Sequence, residues 1–246
     1  MSGHSKWASI KHKKGALDAK RGKLFTKIIK EINVTARMGG GDLESNAALR
    51  TVVLKAKAAN MPKDNIEKAI KKGIGEMDGV DYVELQYEAY APGGVGLLIS
   101  SLTDNKNRTA ADVRSILTKG GGSLAATGAV SYQFKRKGLL SYDAENVDFD
   151  ALFEAALEAG AEDVTNEDGA IEVVTEPNDF ETVLTALQEA GFEQLGAEVS
   201  MISDTRVTLD NEHTGKVLRL IERLEDNEDV QDVASNLEVP SDFDMD

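Results

Sequence analysis

Leu139 to Ile202 reads LLSYDAENVDFDALFEAALEAGAEDVTNEDGAIEVVTEPNDFETVLTALQEAGFEQLGAEVSMI, and this stretch decides the fold. Alternation and turn residues mark strands over 139–142, 163–165, 170–175 and 198–202, with helices over 149–159 and 179–190. The order βαββαβ is that of a split, ferredoxin-like unit, an antiparallel sheet backed by two helices. On its upstream side, strands are expected over 82–90 and 95–103 around the Pro92-Gly93-Gly94 turn, then a helix over 108–119 broken by Gly120 to Gly122, and a third strand over 129–134. Downstream, Val217, Leu218, Leu220, Ile221 and Leu224 mark a helix, followed by a short strand over 230–233. These last two elements complete the ββαβ set of 82–134, so the 139–202 unit is inserted into another α+β domain.

Before Gly75 the texture is helical. Leu24, Phe25, Ile28, Ile29, Ile32 and Ala36 form one apolar stripe, and Lys20, Lys23, Lys27 and Lys30 fall in a sector of about 80° on the other side. Gly39 to Gly41 end that helix. Asn46 is placed to cap a second, and Pro62 opens a third that closes at Gly73. The expected class is therefore α+β: a small N-terminal three-helix bundle followed by two ferredoxin-like α+β domains, the third inserted in the second. The expected domains are 1–75, 80–134 plus 204–238, and 135–203, with Lys135-Arg136-Lys137-Gly138 marking a boundary.

Charge divides the chain at about the same point. Residues 1–75 hold 17 Lys and Arg against 6 Asp and Glu, a net +11, whereas 76–246 carry a net −26. A basic segment gathered at one end of an otherwise acidic chain is the footprint of nucleic-acid binding. The candidate contacts are Lys6, Trp7, Lys11, Lys13, Lys14, Lys20, Arg21, Lys23, Lys27 and Lys30. The lysines would neutralise phosphates, and Trp7 would stack on an unpaired base or pack the N-terminal arm onto the bundle. The same lysine stripe could also be a solvated face, or one docked against the chain's own acidic half; the density of bases between Lys6 and Arg37 favours phosphate. Lysine with little arginine positions a backbone more than it reads bases. The acidic domains, which phosphate repels, suit a basic protein surface such as a ribosomal protein or a polymerase. Arg108, Arg114 and Lys119 read as ordinary helix surface.

Three histidines and no cysteine give poor material for a metal site or a nucleophile with its base, and no HExxH, Walker A, GxSxG or dinucleotide glycine pattern occurs. The expectation is no enzyme, no cofactor and no metal. No apolar run approaches a membrane span and the first residues lack a secretory core, so the expected partners exclude a membrane and the expected place is the cytoplasm.

Several blocks together resemble the YebC/PmpR family: Gly3-His4-Ser5-Lys6-Trp7, Asp18-Ala19-Lys20-Arg21-Gly22-Lys23, Gly39-Gly40-Gly41-Asp42, Asn60-Met61-Pro62, Pro92-Gly93-Gly94-Val95, Thr103-Asp104-Asn105 with Asn107-Arg108-Thr109, and Glu154 to Asp163. Ala89, Ala91 and Leu43 depart from the family pattern. The resemblance implies a three-domain cytoplasmic protein that controls gene expression. Its bacterial members are mostly classed as DNA-binding transcriptional regulators. Relatives, including a mitochondrial translational activator, are associated with the ribosome, which implies as the alternative an rRNA-binding translation factor that assists synthesis of proline-rich stretches. A protein-interaction scaffold is the third reading.

Overall fold

The computed structural model describes residues 18–240 apart from 168, together with 242 and 243. Helices α1 (Asp18–Gly39), α2 (Ala47–Ala58) and α3 (Lys63–Gly73) form the N-terminal bundle around Ile28, Ile32, Ala36, Leu49, Val53 and Ile66. Asn46 joins the first two. Its Oδ1 accepts the Leu49 amide at 3.0 Å, while its Nδ2 donates to the carbonyls of Thr35 and Gly40 at 2.9 and 2.8 Å. One side chain thus caps α2 and satisfies carbonyls left open at the end of α1. At Gly73, a β-carbon would stand 2.7 Å from Asn33 O and from Ala36 Cβ, so glycine lets α3 end pressed against α1.

After the bundle come β1 (Val83–Tyr90), β2 (Gly96–Thr103), α4 (Lys106–Lys119) and β3 (Ser123–Leu124). The chain then builds β4 (Phe134–Asp143), α5 (Phe149–Ala159), β5 (Asp163–Glu167), β6 (Ala170–Thr175), α6 (Phe180–Glu189) and β7 (Gly196–Ser203). It returns through β8 (Val207–Thr208), α7 (Asn211–Glu225), β9 (Val230–Ser235) and β10 (Leu237–Glu238). The first sheet has the order β3-β1-β2-β9 and the second β5-β6-β4-β7, with every pairing in both antiparallel. The second order is that of the split βαββαβ unit, and its chain is inserted between the last two strands of the first sheet. The architecture is the expected α+β one.

Two local expectations are corrected. Residues 129–134 do not form a strand: Ser131–Gln133 is a single 3-10 turn, and β4 begins at Phe134. The cause is remote in sequence, because the Glu88 carboxylate accepts the amides of Gly128, Val130 and Ser131 at 2.6–2.9 Å, and those donors are lost to a ladder. Lys135 to Gly138 also belong to a strand, since they lie inside β4 and pair with Val199 to Ile202 of β7, so the strand expected from Leu139 starts at Phe134.

Each sheet covers its own apolar core. Leu97, Ile99, Leu117, Leu218 and Ile221 anchor the first, and Leu140, Tyr142, Leu152, Ile171 and Leu187 the second. A small cluster of Leu98, Val130, Phe134 and Ala234, with Met201 against it, joins the two sheets. The bundle's cluster contains none of these residues. Polar contacts join the bundle to the rest, and they decide the fate of three of its lysines.

Candidate nucleic-acid interface

Of the ten candidate residues, Lys6, Trp7, Lys11, Lys13 and Lys14 lie outside the described residues, and Lys20 and Arg21 fall in the first turns of α1. Lys23, Lys27 and Lys30 come down the same side of α1 and meet the end of α7. Lys23 Nζ donates to both the carbonyl and Oδ1 of Asp226 at 3.3 Å. Lys27 Nζ donates to the Glu225 carbonyl at 2.5 Å. Those carbonyls close a helix C-terminus, where backbone acceptors lack intrahelical donors and the helix dipole is negative. For these lysines the helix end fills the role that a phosphate was expected to fill.

Lys30 goes further in and is only 7% exposed. Its ammonium donates to Asp229 Oδ1 and the Glu228 carbonyl, both at 2.9 Å, and lies 5.5 Å from the centroid of the Tyr82 ring. Asp229, itself buried, also accepts Arg108 Nη2 at 2.8 Å and Thr109 Oγ1 at 2.9 Å. Burial pushes the Asp229 carboxyl upward, but hydrogen bonds from Lys30, Arg108 and Thr109 outweigh it and hold the group below the usual carboxylate range. Hydrogen bonds to Asp229 and Asp104 in turn hold the Arg108 guanidinium above its ordinary value.

This corrects the reading of the stripe at Lys30, whose charge is committed inside the molecule and does not face a phosphate. Lys23 stays exposed and Lys27 half-buried, both on acceptors of the chain's own acidic half. It also corrects the reading of Arg108 as ordinary surface. The signal for Arg108 was present in Thr103-Asp104-Asn105 and Asn107-Arg108-Thr109. Asn105 caps α4 by accepting the Arg108 amide at 3.1 Å, and that cap turns Arg108 and Thr109 toward Asp229.

Further contacts fix the bundle. Arg50 of α2 donates through Nε to both carboxylate oxygens of Glu181 on α6, at 2.8 and 2.9 Å, and this hydrogen bond raises its affinity for the proton. Lys55 pairs with Glu31 at 2.9 Å; burial works against its charge, but Glu31, with Glu198 and Asp232, more than compensates. The Gln231 amide of β9, turned to suit its neighbours, donates to Lys27 O and Glu31 Oε1 at 3.2 and 3.3 Å. Lys57, Lys63, Lys68, Lys71 and Lys72, on the far ends of α2 and along α3, remain exposed. Among the described residues no cluster of three or more His, Asp and Glu side chains is placed to hold a metal ion, and no helix is long and apolar enough to cross a membrane.

Two family models divide the chain at the same place as its charge. Residues 5–76 match the TACO1/YebC protein N-terminal domain, and residues 82–237 match the TACO1/YebC second and third domain. The chain belongs to the TACO1/YebC family. A protein of Treponema denticola is 64% identical over 245 residues, covering 100% of this chain and 99% of its own length, and one of Treponema pallidum is 61% identical over 243 residues, covering 99% of each. Both bear the name "Probable transcriptional regulatory protein". The crystal structure of a conserved hypothetical protein from Aquifex aeolicus superposes with a TM-score of 0.85 at 46% identity, over 96% of this chain and 98% of that one. In this TACO1/YebC chain, part of the sequence that carries the family resemblance, from Thr103 to Thr109, builds the socket that holds α1.

Proposed function

We propose that this TACO1/YebC chain is a nucleic-acid-binding, non-catalytic regulator of gene expression, with DNA-binding transcriptional regulation as the first reading. The observation that carries it is the partition of charge: a net +11 in the first 75 residues against −26 in the rest. Docking consumes Lys30 and engages Lys23 and Lys27, while Lys57, Lys63, Lys68, Lys71 and Lys72 of α2 and α3 stay exposed; with the lysines before α1, which lie outside the described residues, these are the proposed material for grip. The names of the relatives favour transcription.

A second reading, an rRNA-binding factor on the ribosome, draws on a different observation. The lysine side of α1 is applied to the end of α7, so α1 does not offer that side to a DNA major groove while the bundle is docked. Lysine-dominated backbone contact suits folded RNA as well as duplex DNA. The acidic domains then face a basic protein surface.

Cosedimentation with ribosomes and binding to duplex DNA, both at physiological salt, separate the two. The variant for comparison is Lys11→Glu/Lys13→Glu/Lys14→Glu, which keeps the docking lysines Lys23, Lys27 and Lys30. Duplex binding that exceeds ribosome binding and is lost in the variant supports transcription. Ribosome binding with weak duplex binding replaces the first reading by the second.

A further inference from the structure

One end of the first sheet carries a surface unlike the rest of the chain. No charged residue occurs from Ala89 to Thr103 or from Gly120 to Phe134, although 29% of the chain is charged. These two segments meet. Tyr90 pairs with Ser123, Tyr90 Oη donates to the Ala129 carbonyl at 3.3 Å, and a β-carbon on Gly121 would lie 3.4 Å from Pro92 Cγ. Glu88, next in sequence to the first segment, is buried and turned inward, held below its ordinary pKa because amides of Val130, Gly128 and Ser131 outweigh the cost of its burial. Those three bonds fix the loop from Gly128 to Ser131; Tyr132, the next residue, has 77% of its surface exposed, and Tyr90, whose hydroxyl reaches this loop at Ala129, has 40%. The remaining exposed residues are small: Gly93, Gly94, Gly121, Ser123, Ala126, Thr127 and Gly128.

We infer that this charge-free cap is a contact surface for unpaired bases of the nucleic acid that the basic N-terminal segment grips, an inference that rests on the nucleic-acid reading above. On domains as acidic as these, phosphate is repelled almost everywhere, and a neutral cap is where a polyanion can come close. Glycines at Gly93, Gly94, Gly121 and Gly128, all with φ near +80°, keep this surface free of side chains that would hinder a flat base from reaching the rings. The phenol rings supply sequence-tolerant stacking platforms. A protein pocket is the poorer fit, because the cap exposes no Leu, Ile, Val, Met or Trp to anchor one.

The test uses the full chain and measures anisotropy of labelled oligo(rU) and of an RNA duplex of equal length. Tyr132→Ala is expected to weaken oligo(rU) binding by about tenfold. The duplex affinity and the slope of affinity against salt should stay as in wild type, since no phosphate contact is removed. Tyr132→Trp should restore the single-strand affinity, which a merely structural tyrosine would not predict. If wild type binds both probes and Tyr132→Ala matches it, or loses both probes equally, the cap plays no part in base contact and only this inference falls. If wild type binds neither probe nor duplex DNA, the nucleic-acid reading itself falls and takes the inference with it.

Discussion

Asp229 receives Lys30, Arg108 and Thr109 in a site with almost no solvent, so its charge is compensated twice over. Asp229→Asn removes the anion and leaves Lys30 buried without its counter-charge, which is expected to cost about 3–5 kcal/mol of stability in urea unfolding. Because the folded Asp229 titrates below its unfolded value, its contribution is complete above about pH 4 and is lost as pH falls through the folded value. The variant should therefore show a flatter loss of stability in acid than wild type. Glu172 on β6 has the opposite sign. Burial raises its carboxyl to about 7, with Arg206 opposing the shift, so the folded state holds a proton that the unfolded state has released above about pH 4.5. Stability from this group is present below that pH and declines as pH rises toward 7. Glu172→Gln should leave stability at pH 4.5 nearly unchanged and raise it at pH 8 by up to about 3 kcal/mol, read from Tm across that range.

At the level of the elements, Gly138 shows how tightly the second sheet meets its helix. It sits in the middle of β4, where a β-carbon would collide with Thr175 Oγ1 and stand 2.7 Å from Phe180 Cδ2, both residues buried. Gly138→Ala is expected to destabilise the chain by about 1–3 kcal/mol in chemical denaturation through overpacking. Most elements were legible in the sequence for physical reasons that act locally. Apolar residues three and four apart gave α1, α2, α3 and α7, Asn46 gave a cap, and alternation with turn residues gave the split βαββαβ order. What failed to show did so because its cause was distant. The turn at Ser131–Gln133 depends on Glu88, some forty positions earlier, and the lysine stripe of α1 is answered by carbonyls and carboxylates near residue 226. Periodicity locates a charged face on a helix but carries no information about what that face meets. The two readings offered by the sequence, phosphate or the chain's own acidic half, differ only in that partner, and for Lys30 the second is the one realised.

For the molecule as a whole, a basic bundle is fastened to acidic domains by ion pairs and helix-end contacts, with no apolar cluster of the described residues running across the join. Such an attachment is selective and separable: reversing its charges should free the bundle while every core stays intact. Lys27→Glu/Lys30→Glu is expected to increase the radius of gyration in X-ray scattering with an unchanged far-UV spectrum; an unaltered radius would mean that docking does not depend on these lysines. Under the proposed function, the docked arrangement leaves the grip on nucleic acid to bases other than Lys30. The most direct measurement is the slope of log Kd against log salt for duplex DNA and for folded RNA, comparing wild type with Lys11→Glu/Lys13→Glu/Lys14→Glu. Wild type should show a steep slope on at least one of the two, made shallower by about 2–3 in the variant, as the loss of three phosphate contacts requires. A slope near zero for wild type on both, or one that the variant leaves unchanged, would contradict it.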